Sequence, residues 1–167
     1  MAANWKITTA AAVSLAAVSW MGAGLAQAQS ALPKNASAAT KAAYARHENF
    51  EKLGAAFKAV IDETRKDAPN ATLVRSNTRT MTQLVTAIPT WFPRGSGVEA
   101  WPKSEAKANI WTDAAGFTAA ATASRNEVNK LNALAVAGDW AGVRNQIRAT
   151  GGTCKGCHDT YRLEKKS

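Results

Sequence analysis

Five residues near the C-terminal end, Cys154-Lys155-Gly156-Cys157-His158, hold the only two cysteines of this chain, and no other stretch restricts the fold as much. C-x-x-C-H is the attachment pattern of c-type haem: each thiol adds to one vinyl group and the histidine reaches the iron. On a helix Cys154 and Cys157 stand at i and i+3, and Cys154 and His158 at i and i+4, so all three project from one face. Three other uses compete with this one. A thioredoxin-like pair needs a βαβ setting, and no strand-like alternation precedes these cysteines. A Cys/Cys/His/His zinc site would have to recruit His47, the only other histidine, far outside any compact ligand spacing. A disulfide across two intervening residues would close almost no loop. One covalently bound haem c is therefore expected.

The first residues carry an export instruction. Lys6 gives a short basic start, Ile7 to Leu25 is free of charge, and Ala26-Gln27-Ala28 forms an A-x-A cleavage site. Residues 1–28 read as a cleaved secretory signal peptide. A membrane-spanning helix is the rival, but the stretch is only marginally long and is rich in Ala and Ser. The expected compartment is the periplasm, where two cysteines would ordinarily pair; the C-x-x-C-H context overrides that expectation. Residues 29–167 are then a single domain of ordinary size. Losing Lys6 takes the formal charge from +9 to +8. Such a basic exported chain favours acidic partners or a membrane surface, although a solvated basic surface is the plainer reading. No basic motif interleaved with aromatics points to nucleic acid.

Apolar periodicity and breakers divide the remainder into four helices. The first runs from about Thr40 to Lys66, with Phe50, Leu53, Phe57, Val60 and Ile61 in one stripe, and Asp67-Ala68-Pro69-Asn70 stops it. The second spans about Thr72 to Ile88, with Met81, Leu84, Val85 and Ile88 on one face. A long loop follows, marked by Pro89, Pro93, Gly95, Gly97 and Pro102. Trp91, Trp101 and Trp111 lie in or just past it, which predicts a loop folded back on the bundle. The third helix is expected to start at Ser104 as N-cap, with Glu105 in its first turn. Its stripe is Ile110, Ala114, Phe117, Ala121, Val128, Leu131 and Ala135. Gly138 ends it and Asp139 caps the fourth helix. There Trp140, Val143 and Ile147 lead to Cys154, Cys157 and Tyr161, so the attachment residues face the core. Gly151 and Gly152 predict a close approach of the haem or of another helix one turn before Cys154. The Ala114–Ala123 run reads as close helix packing. The fold class is all-α, an antiparallel up-down four-helix bundle with its cofactor held between facing helices.

A four-helix chain with C-x-x-C-H at its C-terminal end resembles cytochrome c′. The resemblance covers residues 29–167 and is strongest over Cys154-Lys155-Gly156-Cys157-His158-Asp159-Thr160-Tyr161-Arg162. A second segment is Arg46-His47-Glu48-Asn49-Phe50-Glu51-Lys52-Leu53-Gly54, similar to the family's distal-side helix, and Ile110-Trp111 is a weaker match. The resemblance implies His158 as the axial iron ligand and Arg162 as the basic residue beside its imidazole. It implies Arg46 as a haem propionate contact, with His47 and Lys107 as further candidates. Phe50 takes the position that crowds the vacant sixth site, with Leu53 beside it.

That position separates two branches. Relatives of the cytochrome c-556 type carry Met there and hold a six-coordinate, low-spin iron. Phe50 cannot ligate, Met81 reads as core filler, and His47 remains as another sixth ligand. The resemblance thus implies five-coordinate high-spin iron under an apolar wall. That arrangement favours small neutral gases, nitric oxide and carbon monoxide, over water and anions, alongside electron exchange. The competing class is a six-coordinate electron carrier. A peroxidase would need a distal base and cation, a role for which only His47 and Arg46 are available; no enzyme activity is expected. The family implies a homodimer through helices one and two, here the faces of Tyr44 and Leu73. No motif names the redox partner.

Overall fold

The computed structural model describes residues 32–164. Four long helices, α1 (Ala38–Thr64), α2 (Ala71–Ala87), α3 (Ala114–Ala137) and α4 (Trp140–Tyr161), account for most of them. α1 packs on α2, α2 on α3, α3 on α4, and α4 closes back on α1 over the thinnest of the four seams. Among the described residues the only extended pairing is a single antiparallel bridge between Ala106 and Arg162. No described helix is long and apolar enough to cross a membrane. The expected signal peptide, residues 1–28, lies outside the described residues.

Each helix starts at a side chain able to satisfy its open N–H groups. The Ser37 hydroxyl accepts from the Thr40 N–H at 3.1 Å, and the Asn70 carbonyl oxygen accepts from Leu73 at 3.1 Å. Asp113 accepts from Gly116 at 3.0 Å and Asp139 from Gly142 at 2.8 Å. α1 ends two residues before the expected Lys66. There the buried Glu63 turns its carboxylate onto Lys66 Nζ and onto the Asn70 N–H at 3.0 Å, closing the corner to α2. Gly138 adopts the left-handed conformation, φ 76°, that ends α3 and turns the chain straight into α4.

The third helix does not begin at Ser104. Residues 104–107 run alongside the end of α4 instead: the Lys107 N–H donates to the Tyr161 carbonyl at 3.0 Å and the Leu163 N–H to the Glu105 carbonyl at 2.7 Å. The buried Ser104 hydroxyl accepts from Arg46 and, within a tight turn, from the Ala106 N–H at 3.3 Å, but the backbone beyond it pairs with α4 and does not go on into a helix. Ile110 sits in a separate single turn, Asn109–Thr112, and α3 proper starts after Asp113.

The core follows the four stripes. Val60, Val74, Met81, Val85, Phe117, Ala121, Val128, Leu131, Ala135 and Val143 are buried together. Ala114, by contrast, is exposed. Met81 is 1 % exposed, as expected of core filler. Phe50, Leu53 and Phe57 continue the α1 stripe yet stay only half-buried. The tryptophan loop does fold back: Trp101 is buried, Trp91 and Trp111 pack on the core, and the Thr40 hydroxyl donates to the Ala100 carbonyl at 3.0 Å.

Candidate haem site

Between α1, the tryptophan loop, α3 and α4 lies a cavity of about 550 Å³, within the range of a cofactor-sized site. α4 supplies Cys154, Cys157, His158, Tyr161 and, just past its end, Arg162. α1 supplies Arg46, His47, Phe50, Leu53 and Gly54. Val85, Ile88, Phe92, Ile110, Phe117 and Ala121 complete a mostly apolar lining.

α4 delivers its residues through helical spacing. The inner stripe Val143, Ile147, Thr150 arrives at Cys154 and Cys157, both half-buried, and at Tyr161, which is buried. The C-terminal end of α4 is held in several places. Tyr161 Oη donates to Asp113 Oδ2 at 2.7 Å, Arg162 Nε to Glu105 Oε2 at 2.5 Å, Lys107 Nζ to the Asp159 carbonyl at 2.9 Å and Asn109 Nδ2 to the Thr160 carbonyl at 3.1 Å. The loop therefore fixes where the attachment residues stand.

The two cysteines do not pair with each other as a disulfide. Burial pushes both pKa values up, and for Cys157 the neighbouring Cys154 adds to the effect. His158 is exposed. Desolvation by its packing, then the Arg162 cation, still lower its pKa, so the imidazole is neutral and free to bind a metal at neutral pH. Among the described residues no three His, Cys, Asp or Glu side chains converge as a metal-holding group.

The residues fit a haem on three counts. Two thiols and one imidazole leave one helix toward the same cavity. The half-buried Phe50 and Leu53 turn an apolar wall, backed by the core, toward that cavity. Gly54 lines the cavity where an added Cβ would meet nothing within 4 Å, leaving room for a flat group.

The remaining expected site residues are distributed as follows. His47 lines the cavity, is exposed, and sets its ring edge-on to Trp101 at 5.2 Å. Lys107 is not on the cavity wall; Lys58 and Lys103 are. Arg46 lines the cavity but is buried, with its guanidinium engaged by the loop. Gly151 meets Phe57 only at ordinary contact, 3.8 Å, and Gly152 meets nothing within 4 Å, so no neighbouring helix crowds either glycine. Sequence reasoning missed the Tyr161–Asp113 pair and the Glu105–Arg162 pair. Both join positions about 50 residues apart by chain, which no local pattern links.

The family model for Cytochrome C′ matches residues 41–162, most of the chain. The chain belongs to the cytochrome c′ family. Cytochrome c′ of Pararhodospirillum photometricum is 32 % identical over 117 residues, which cover 70 % of this chain and 92 % of that protein. Cytochrome c′ of Rubrivivax gelatinosus is 44 % identical over 68 residues, 41 % of this chain and about half, 53 %, of that protein. Among solved structures, a ferrous variant of cytochrome c prime from Alcaligenes xylosoxidans, with bound NO, superposes with a TM-score of 0.68 at 26 % identity. It covers 76 % of this chain and 97 % of that one. The four-helix bundle and a covalently attached haem c are thus common to this chain and its family, and the C-x-x-C-H motif supplies the attachment.

Proposed function

We propose that this cytochrome c′ family member is an exported, periplasmic haem protein that binds small neutral gases at a five-coordinate, high-spin iron and also exchanges electrons. Cys154 and Cys157 would hold the haem and His158 would be its axial ligand. The haem supplies the iron, one face of which stays open for a ligand. The observation that carries the reading is the character of the α1 wall. It presents Phe50 and Leu53, neither of which has a ligating atom, while Met81 is buried on α2 and is not on the cavity wall. An apolar wall disfavours water and anions, which lose hydrogen bonds on entering; nitric oxide and carbon monoxide lose little. The Alcaligenes relative with bound NO supports the same ligand class. Arg162, beside His158 and paired with Glu105, would act on the axial imidazole, and the basic rim residues His47, Lys58 and Lys103 lie where propionates could be met.

A six-coordinate electron carrier of the cytochrome c-556 type is the second reading. His47 favours it, since its imidazole lines the same cavity. A catalytic role is not proposed, nor is nucleic-acid binding. Cleavage after Ala28 and a homodimer through α1 and α2 belong to the proposal, and the redox partner would be a protein. Ferrous optical spectra before and after carbon monoxide test the coordination. A broad high-spin Soret band that shifts with the gas supports the first reading, whereas sharp low-spin bands indifferent to it select the second. The mass and sedimentation of the exported protein test cleavage and dimerisation.

A further inference from the structure

Arg46 stands on the buried face of α1 and is 4 % exposed. Its Nη1 donates to the Trp91 carbonyl at 3.2 Å and to Ser96 Oγ at 2.9 Å. Its Nη2 donates to the Ser96 carbonyl at 2.6 Å and to Ser104 Oγ at 2.9 Å. These contacts use four of the five N–H bonds a guanidinium offers. The group also lies 4.5 Å above the Phe92 ring, close enough for a cation–π contact. Burial pushes its pKa down to about 10, partly offset by Glu99, so it is a cation at neutral pH.

Phe92 leads onward to the cavity. Its ring meets Phe117 at 4.8 Å, Phe50 at 6.3 Å and Trp111 at 6.4 Å, and its carbonyl accepts the Trp111 indole N–H at 3.0 Å. Phe50 meets Trp91 edge-on at 5.2 Å. One side chain of α1 therefore holds both ends of a loop whose aromatic rings back the Phe50 wall. We propose that Arg46 is the positioning residue of this wall, acting through Phe92 and the 91–104 loop, and that it thereby limits gas entry. A carboxylate clasped by a guanidinium fork takes two N–H bonds, and only Nε–H is left here. The gas-entry part rests on the five-coordinate reading above; the positioning part does not.

The test uses the haem-loaded protein, the Arg46→Lys variant, and a Ser96→Ala/Ser104→Ala variant that keeps the guanidinium but removes both hydroxyl acceptors. Lysine retains the charge and loses the fork. Backbone hydrogen exchange is read by mass spectrometry, and carbon monoxide association to the ferrous protein by stopped flow. Both variants should raise exchange in residues 91–104 by about tenfold, while the helices stay protected, and both should speed carbon monoxide association several-fold. Unchanged loop exchange in both variants overturns the proposal, as does exchange rising evenly over the bundle, which marks a merely structural role. A carbon monoxide rate altered by Arg46→Lys but untouched by the serine pair also overturns it, because Arg46 would then act on the bound group directly. If the wild type binds no carbon monoxide, the five-coordinate reading fails, and loop exchange alone decides whether Arg46 positions the wall.

Discussion

Tyr161 shows how one side chain can hold a whole site in register. It follows Cys157 by one helical turn, packs edge-on to Phe117 at 5.3 Å, and gives its hydroxyl hydrogen to Asp113. That bond, then burial, push the phenol up to about 12. The same bond, then the Gly116 N–H, hold the Asp113 carboxyl below the usual carboxylate range. The two signs are opposite. Folding favours protonated Tyr161, so its contribution is complete below about pH 10 and fades as pH rises toward 12. Folding favours ionised Asp113, so its contribution is present above the ordinary carboxylate range and is lost as pH falls through and below it. Tyr161→Phe should lower the melting temperature and flatten its fall at both pH extremes. Thermal melts of the variant across pH check this, and an unaltered profile would take the pair out of the stability account. Gly116 belongs to the same knot: a Cβ there would stand 2.5 Å from Tyr161 Oη and crowd the Asp113 carboxylate. Replacing Cys154 by alanine should leave one haem vinyl group conjugated, which moves the alkaline pyridine haemochrome band to the red; an unmoved band would deny Cys154 its thioether.

At the scale of elements, the corner between α3 and α4 does most to aim the attachment helix. Gly138 at φ 76° and the Asp139 cap leave no spare residue between the two helices. A Cβ in the left-handed region is strained, so Gly138→Ala should cost about 1 kcal/mol. Asp139→Ala should cost a similar ~1 kcal/mol through loss of the N-cap. Leu131, fully buried on α3, should cost about 2–5 kcal/mol on truncation to alanine. Chemical denaturation read by circular dichroism checks all three, and equal midpoints for wild type and Gly138→Ala would contradict the strain argument. This corner was legible in the sequence because Gly followed by Asp after a periodic run is a local signal. The start of α3 was not. Ser104 followed by Glu105 has the local chemistry of a helix start, and its hydroxyl does accept the Ala106 N–H, but the backbone that follows is committed to the end of α4.

The whole molecule is a bundle whose fourth seam is incomplete. α1 and α4 meet over the least surface, and the cavity of about 550 Å³ beside them is mostly apolar. The haem is then part of the core and not only its cargo. The chain without haem, produced as Cys154→Ala/Cys157→Ala, should melt well below the haem-loaded protein and less cooperatively, because the Phe50 and Leu53 wall loses its partner. Parallel thermal melts by circular dichroism check this; equal melting temperatures would mean that the bundle closes unaided.

Sequence alone was enough for what depends on near neighbours along the chain. Four apolar stripes, Asp139 and Gly138 at one corner, and three ligand-bearing residues at i, i+3 and i+4 each follow from the pitch of one helix, so the bundle and the attachment face were readable from residues within a few turns. Tertiary structure decided what depends on residues far apart by chain. Lys107 left the cavity wall because its ammonium reaches the Asp159 carbonyl, and Arg46 gave its donors to a loop about 50 residues away. A hydrogen bond is satisfied by whichever acceptor the fold brings within about 3 Å, and only the folded chain determines which one that is.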